Sequence, residues 1–201
     1  MTTHRATKTS QTAPTSRDAT PTGRDAVVAA VLDHAADLFA ERGPTATSIR
    51  DIAERAGVNH GLVFRHFGAK EQLVGQVLEY LGTDTEAHVE HAGLGTDDPR
   101  LRRHWTVIAR CLLDGYPVGE LQQRFPTMER LVTVARSAYP DEQQAALAAA
   151  HIGALILGWE LFGPFLRSAT GLQDTPETEL CQAITERATG MLQPHGPAGQ
   201  K

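Results

Sequence analysis

Residues 48–67 read SIRDIAERAGVNHGLVFRHF, and this stretch decides the fold of the first third of the chain. Two short helical patterns meet at Gly57, which suits a tight turn with positive φ. Ala53, four residues earlier, supplies the small side chain that two crossing helices need at their contact. Four aliphatic side chains are expected to fill the angle between the helices: Ile49, Ile52, Val58 and Val63. The spacing predicts a helix-turn-helix, although helical hairpins with a glycine turn also occur as plain packing units.

The second helix of this pair has the size of an element that fits the DNA major groove. Asn59 is a good N-cap for this helix, and Gly68 follows its last residue, Phe67. Its outer face carries His60, Gly61, Leu62 and Arg65. The first helix of the pair is expected to start at Thr47 or Ser48 and to end at Arg55.

Helical periodicity continues on both sides of this stretch. From Arg24, apolar residues recur at three- and four-residue steps until Gly43 and Pro44 end the pattern. Further helices are expected near residues 70–91, 100–114, 118–137 with a break at Pro126, 141–169 and 177–192, with a loop over 92–99. Runs of β-branched residues with period-two alternation are absent, so the predicted fold class is all-α.

Composition narrows the function classes. With 201 residues, 41% of them hydrophobic, the chain can bury a sizeable core. A net charge of −5 argues against a protein that binds nucleic acid over its whole surface. Residues 1–75 hold nine Lys/Arg and eight Asp/Glu, for +1, and residues 76–201 hold ten and sixteen, for −6. If one half meets DNA, it is the first. Two cysteines 70 residues apart favour neither a disulfide framework nor a zinc site and fit the cytoplasm.

Both ends of the chain are predicted to be poorly ordered. Residues 1–23 contain no Leu, Ile, Val or aromatic residue and are expected to form a disordered tail. This tail is either simply solvated, a basic arm that touches DNA phosphates, or a transit peptide, but it lacks the apolar segment of a secretory signal. Residues 194–201 are rich in Gly and Pro and are expected to fray.

Residues 35–74, AADLFAERGPTATSIRDIAERAGVNHGLVFRHFGAKEQLV, closely resemble the N-terminal domain of TetR-family transcriptional regulators. The resemblance implies an N-terminal three-helix helix-turn-helix DNA-binding domain over residues 24–69. A larger helical ligand-binding and dimerisation domain would follow over residues 70–193. The implied function is that of a ligand-responsive regulator, and of a repressor in particular. It would bind double-stranded operator DNA, a pseudo-palindrome, as a homodimer, and a small-molecule effector would release it.

Residue roles at the DNA follow from the positions that match the family. Thr47 and Ser48 would bind phosphate at a helix N-terminus, or simply cap the helix. Arg50 would reach guanine, and Lys70 would pair with phosphate. Phe64 stands where the family usually has a Tyr whose hydroxyl reaches a phosphate, so here it either keeps a DNA contact or is structural. The recognition helix itself would present Asn59, His60, Gly61 and Arg65. His66 and Phe67 are expected to pack beneath that helix.

The C-terminal half carries the expectations for dimerisation and effector binding. Residues 145–170 are apolar on nearly every face, but Glu160 and Pro164 argue against a membrane span. With residues 177–192 they are similar to the two-helix dimer surface of the family, and Pro164 should kink or shorten the last turns. An effector that is small and apolar or aromatic would tilt the helix near 70–91. Six residues, each also a reasonable core residue, are candidates for its pocket: Trp105, Phe125, Met128, Trp159, Phe162 and Phe165.

Two rival function classes remain. The chain lacks the sequence motifs of the common hydrolases, nucleotide-binding enzymes and zinc proteases, and no His follows a Glu by three residues as in a di-iron bundle. A helical-bundle enzyme is therefore the weaker alternative, and we expect no catalytic residues and no cofactor. His88, His91 and His104 offer too few neighbouring ligands for a metal site. A DNA-binding regulator without a small-molecule effector is the stronger alternative.

Overall fold

A computed structural model describes residues 23–92 and 98–193, and of residues 89–92 it describes the backbone alone. Residues 1–22 of the tail predicted at 1–23, the tail predicted at 194–201 and residues 93–97 of the predicted loop therefore lie outside the described residues. The described part of the chain is helical and contains no strand, which confirms the all-α prediction. Its helices are α1 (Arg24–Arg42), α2 (Ile49–Arg55), α3 (His60–Phe67), α4 (Lys70–Ala92), α5 (Pro99–Leu113), α6 (Val118–Leu121), α7 (Pro126–Ala135), α8 (Glu142–Thr170) and α9 (Glu177–Gly190).

The starts of α2 and α3 follow from local capping chemistry. The Ser48 side chain accepts a hydrogen bond from the Asp51 amide (3.1 Å), and the Asp51 carboxylate accepts one from the Ser48 amide (2.9 Å). This reciprocal pair is a capping box. The Asn59 side chain accepts a hydrogen bond from the Gly61 amide (2.8 Å) and caps α3. Both N-caps lie where the sequence predicts them.

Two prolines have different effects on the helices around them. The break expected at Pro126 is present, because α6 ends at Leu121 and Pro126 occupies the first turn of α7. Proline fits there because the first turn of a helix has no partner for its missing N–H. Pro164 lies inside α8, which continues for six residues to Thr170. Pro164 therefore does not shorten this helix, and the alternative expectation, a kink at this position, stays a prediction.

The buried side chains form two main cores that meet at α5. The N-terminal core joins α1, α2, α3 and α4 with Val107 and Cys111 of α5. The C-terminal core joins Leu101 and Trp105 of α5 with buried residues of α7, α8 and α9. Because α5 contributes side chains to both cores, it packs against the helix-turn-helix side and the C-terminal bundle at once.

Helix α8 is apolar on two opposite faces, only one of which is covered by the described chain. One face packs on α5 and α7 through residues such as Ile152 and Ile156. The opposite face exposes Leu147, Phe162 and Phe165, which are 54%, 55% and 68% accessible. By length and composition α8 could cross a membrane. Its contacts with α5 and α7 are those of a core helix, whose apolar composition meets the same criterion.

Candidate nucleic-acid interface

Helices α2 and α3 form the expected helix-turn-helix. Gly57 takes a φ of +65°, which a residue with a Cβ adopts only at a cost, and the Val58 amide donates to the Ala53 carbonyl (2.9 Å). Ile52, Ala53 and Val63 are buried where the two helices contact each other and α1. The turn and its packing therefore fix the angle at which α3 leaves the domain.

The outer face of α3 is open to solvent. Asn59, His60, Gly61 and Arg65 are exposed, and Phe64 is 64% accessible. A Cβ added at Gly61 would lie 3.1 Å from the Asn59 Oδ1 that caps the helix, so glycine keeps this first turn unobstructed.

The arginines of this domain fall into two groups. Away from the face of α3, Arg42 pairs with Asp51 (2.9 Å), and Arg55 donates to both oxygens of Glu41 (2.8 and 2.7 Å). The hydrogen bond from Arg55 lowers the pKa of Glu41. Arg50, Arg65 and Lys70 make no ion pair or side-chain hydrogen bond within the described part of the chain. Their charges are available to an external anion.

Thr47 and Ser48 serve the fold rather than projecting hydroxyls outward. Thr47 is buried, and its hydroxyl donates to the Gly43 carbonyl (2.8 Å). The Ser48 hydroxyl accepts from the Asp51 amide, whose carboxylate lies over the start of α2. For Thr47 this departs from the predicted phosphate contact, because burial and an internal hydrogen bond already use the hydroxyl. Ser48 is exposed, so its role in capping leaves its surface position open to DNA.

The two residues at the end of α3 lie partly beneath it. Phe67 is buried in the N-terminal core, as predicted. His66 is half-buried, and its ring meets that of Phe67 edge-on, with centroids 6.4 Å apart. Both side chains support α3 from the core side.

A cavity of about 460 Å³ lies between α5, α8 and α9. Trp105 and Trp159 form part of its wall, and Glu160 accepts a hydrogen bond from the Thr106 hydroxyl at its edge (2.6 Å). Arg102 donates to the Cys181 sulfur (3.4 Å) and lies 3.7 Å from Glu177. The wall is thus apolar and aromatic, with ion pairs at its rim.

The six residues predicted for an effector pocket do not share one site. Trp105 and Trp159 line the large cavity, while Phe125 and Met128 line a small cavity of about 40 Å³ on the other side of Trp105. Phe162 and Phe165 line neither and are exposed on the uncovered face of α8. Phe162 and Phe165 are rotated by about 60° and about 120° from Trp159 around the helix axis, so they turn progressively from the cavity toward the uncovered face.

Sequence reasoning missed the contribution of α9 and of the polar rim. Cys181 and Ile184 of α9 line the cavity, as do Arg102 and Arg167. Arg167 also donates to Glu177 (2.8 Å) and to the Thr175 carbonyl (2.9 Å), which ties the end of α8 to the start of α9. These are ordinary core and surface residue types without a distinctive spacing. The adjacent Gly163 and Pro164, unusual inside a helix, were the available signal.

The histidines considered for a metal have other contacts. His88 lies 2.6 Å from the Asp98 carboxylate, and the His104 ring lies beside the Thr127 hydroxyl (3.5 Å). Burial lowers the pKa of His104 to about 4. The side chain of His91 lies outside the described residues.

Comparisons with known proteins agree with this geometry. Residues 31–77 match the sequence model of bacterial regulatory proteins of the tetR family. The chain is 53% identical over 183 residues to the HTH-type transcriptional repressor Rv3405c of Mycobacterium tuberculosis, covering 90% of this chain and 97% of that protein.

Solved structures show the same fold. A transcriptional regulator of the TerR/AcrR family from Aquifex aeolicus superposes with a TM-score of 0.53 at 17% identity, over 82% of this chain and 99% of that one. NalD, the secondary repressor of the MexAB-OprM multidrug efflux pump in Pseudomonas aeruginosa, gives 0.50 at 21%, over 83% and 95%. The helix-turn-helix, the helical bundle behind it and these likenesses establish that the chain belongs to the tetR family of transcriptional regulators.

Proposed function

We propose that this regulator represses transcription by placing α3 in the major groove of an operator. The observation that carries the proposal is the exposed surface around α3, where Arg50, Arg65 and Lys70 have no internal partner in the described chain while neighbouring arginines are paired. Arg65 would read a guanine edge, and Lys70 would contact phosphate as a point charge. The assignment as a repressor is supported by the 53% identical relative, which is named a transcriptional repressor.

Residues with smaller side chains would complete this surface. Asn59 and His60 would face the groove at the start of α3, and Gly61 would let the backbone approach the bases closely. Phe64 would contact sugars or a thymine methyl, because without a hydroxyl its ring can offer only apolar contact. Ser48 and Arg50 would flank the groove from α2.

The test is to let the purified chain select fragments of its own genome and to footprint the selected duplex. A pseudo-palindrome whose half-sites are protected one helical turn apart, about 34 Å, is the expected result. Retention of fragments without a common sequence would contradict sequence-specific repression.

Operator binding of this kind requires two copies of the chain. One α3 reads too few bases for useful specificity, and a two-fold dimer doubles the readout. We assign the dimer contact to the uncovered face of α8, whose apolar side chains no monomer should leave in water. We therefore propose that the protein is a soluble cytoplasmic homodimer and not a membrane protein.

We also propose that a small apolar or aromatic molecule enters the cavity between α5, α8 and α9 and loosens the DNA complex. A cavity of about 460 Å³ is in the size range of drug-like ligand sites. Trp105 and Trp159 contribute aromatic surface to its wall.

Calorimetric titration of compounds found by thermal-shift screening, with and without saturating operator, tests this. Linkage requires that DNA weaken effector binding by the same factor by which the effector weakens DNA binding, typically about 5–150-fold. Equal affinities in both titrations would leave a regulator without an effector switch.

A further inference from the structure

Helix α5 touches the cavity and the helix-turn-helix from different sides. Leu101, Arg102 and Trp105 line the cavity, while Val107 and Cys111 lie in the N-terminal core. Arg103, which lies between Arg102 and Trp105 in the sequence, points instead toward α1. A helix with its backbone hydrogen bonds intact moves as a unit, so a displacement at the cavity is carried along α5.

Arg103 holds α1 through a fork of contacts. Its guanidinium lies 2.9 Å from the Asp33 carboxylate and 2.8 Å from that of Asp37, and it also donates to the Asp33 backbone carbonyl. Asp33 and Asp37 are one turn apart on α1, so a single planar group spans both. The Arg103 side chain is three-quarters buried, which makes these charge-assisted bonds stronger than an exposed ion pair.

The same acidic cluster resembles a cation site but is already neutralised. Ligand atoms of Asp33, His34 and Asp37 lie within 4.8 Å of one another. Both carboxylates, however, are paired with Arg103. The arrangement is therefore assigned to a contact between helices and not to a metal.

The other end of α5 holds the loop that leads into α2. The Asp114 carboxylate, at the C-cap of α5, accepts a hydrogen bond from the Thr45 amide (2.7 Å). Gly43 makes room for this contact, because a Cβ there would lie 2.7 Å from an Asp114 oxygen and its φ is +81°. Arg103 and Asp114 are eleven residues apart, or about 16 Å along a helix. Two attachments at that separation fix orientation as well as position.

We infer that α5, through Arg103 and Asp114, sets the orientation of the helix-turn-helix according to the state of the cavity between α5, α8 and α9. Both are positioning residues and neither contacts DNA. This inference rests on the proposed effector response of that cavity. It adds a second connection between the C-terminal bundle and the helix-turn-helix, beside the covalent one through α4. Gly75 and Gly82 pack α4 closely against Leu121 and Pro126.

The experiment fills the cavity without an effector. Gly163 lines the cavity, and a Cβ added there meets nothing closer than the Trp159 ring at 3.9 Å, so Gly163→Leu projects into open volume. Binding of the genome-selected duplex is measured by fluorescence anisotropy for the intact chain and for Arg103→Ala/Asp114→Ala, each with and without Gly163→Leu. We expect Gly163→Leu to weaken DNA binding at least fivefold in the intact chain and less than twofold in the double variant.

Matched variants distinguish an effect on the orientation of the helix-turn-helix from a general loss of folding stability. Arg110→Ala removes an exposed cation from the same helix and should leave the effect of Gly163→Leu at full size, whereas Arg103→Lys, which can pair with one carboxylate, should keep part of it. If Gly163→Leu unfolds at a lower temperature than the wild type, Ile184→Phe serves as a second variant that fills the same cavity from α9. Equal weakening with and without Arg103 and Asp114 overturns the inference and leaves the effector response standing. No weakening by either filling variant in the intact chain overturns the effector response and, with it, the inference.

Discussion

At the scale of single residues, the partners of each arginine separate structural from functional charges. Arg55, bound to both oxygens of Glu41, holds α2 to α1, whereas Arg65 projects from α3 without a partner in the described chain. A surface cation without an internal partner keeps its full charge for a phosphate or a base edge. The cations without an internal partner in the described chain are therefore the ones that we propose for contact with DNA.

Arg65→Ala and Lys70→Ala should weaken DNA binding in different ways. If Arg65 reads a base, its loss costs about 1–3 kcal/mol and relaxes preference at one position per half-site. Lys70→Ala should weaken binding to all sequences and lower the salt slope by about 0.9 per lost phosphate contact. Titrations of operator and random duplexes over a range of salt distinguish the two. Arg55→Ala is the control, and equal effects of Arg65→Ala on both duplexes would remove Arg65 from base readout.

His104 should make folding sensitive to mild acid. It is 3% accessible and stacked on Trp105, with ring centroids 5.8 Å apart, and burial lowers its pKa to about 4. Its unfolded-state pKa is about 6.5, so below that pH the unfolded chain binds a proton that the folded chain refuses. The stability contributed by the neutral ring is complete above pH 6.5 and is lost as the pH falls toward 4. Between pH 7 and 5 this group should lower the free energy of unfolding by about 2 kcal/mol.

Urea unfolding of the wild type and of His104→Gln at the two pH values measures this contribution. The variant should lose about 2 kcal/mol less on acidification than the wild type does. His60→Gln, at an exposed position on α3, is the control in the absence of DNA and should keep the wild-type difference. An unchanged difference in His104→Gln would show that His104 is protonated in the folded state.

At the scale of elements, the glycines of α4 are explained by close packing. A Cβ at Gly75 would overlap the backbone carbonyl of Leu121 in α6, and one at Gly82 would lie 3.1 Å from Pro126. These residues let α6 and the start of α7 approach α4 directly.

Gly75→Ala should destabilise the protein by about 1–3 kcal/mol, because a backbone carbonyl cannot move aside as a flexible side chain can. The control is Gly119→Ala, in the facing helix α6, where an added Cβ has no atom within 4 Å. Thermal unfolding of both variants measures the difference. A melting temperature of Gly75→Ala equal to that of Gly119→Ala would mean that α6 is free to shift.

At the scale of the whole molecule, the uncovered face of α8 is the surface that we propose for the dimer contact. Leu147, Phe162 and Phe165 project from one side of the helix over about 27 Å. His151, Ala154 and Gly158 lie on the same side by helical spacing, so the stripe is narrow in the middle and aromatic at one end. Such a shape suits the packing of two copies of the helix around a two-fold axis.

Phe162→Glu should convert the dimer to a monomer and abolish tight operator binding. A carboxylate buried in an apolar contact loses its hydration without gaining a partner. Light scattering at micromolar concentration gives the mass, and anisotropy gives the DNA affinity. Leu113→Glu, at an equally exposed apolar residue of α5, should leave both unchanged. A dimeric Phe162→Glu variant would place the interface elsewhere. A monomeric wild type would contradict the proposed dimer.

Local sequence patterns were enough to predict the helices and the helix-turn-helix. The Ser48 and Asn59 caps, the glycine turn at Gly57 and the small contact at Ala53 all depend on residues within a few positions along the chain. Capping and turn residues of this kind can be recognised from the sequence alone, and so can the helices that follow them. The family and the all-α class follow from the same local features.

Which side chains are engaged within the fold and which remain accessible to a ligand depends on the tertiary structure. Thr47 reads as a surface hydroxyl in the sequence but is buried, and the aromatic residues predicted for one pocket divide among a large cavity, a small cavity and an open face. The attachment of Arg103 to Asp33 and of Asp114 to Thr45 joins positions 70 and 69 residues apart. Such pairs depend on how helices cross, which is set by the summed packing of two cores and not by any local pattern.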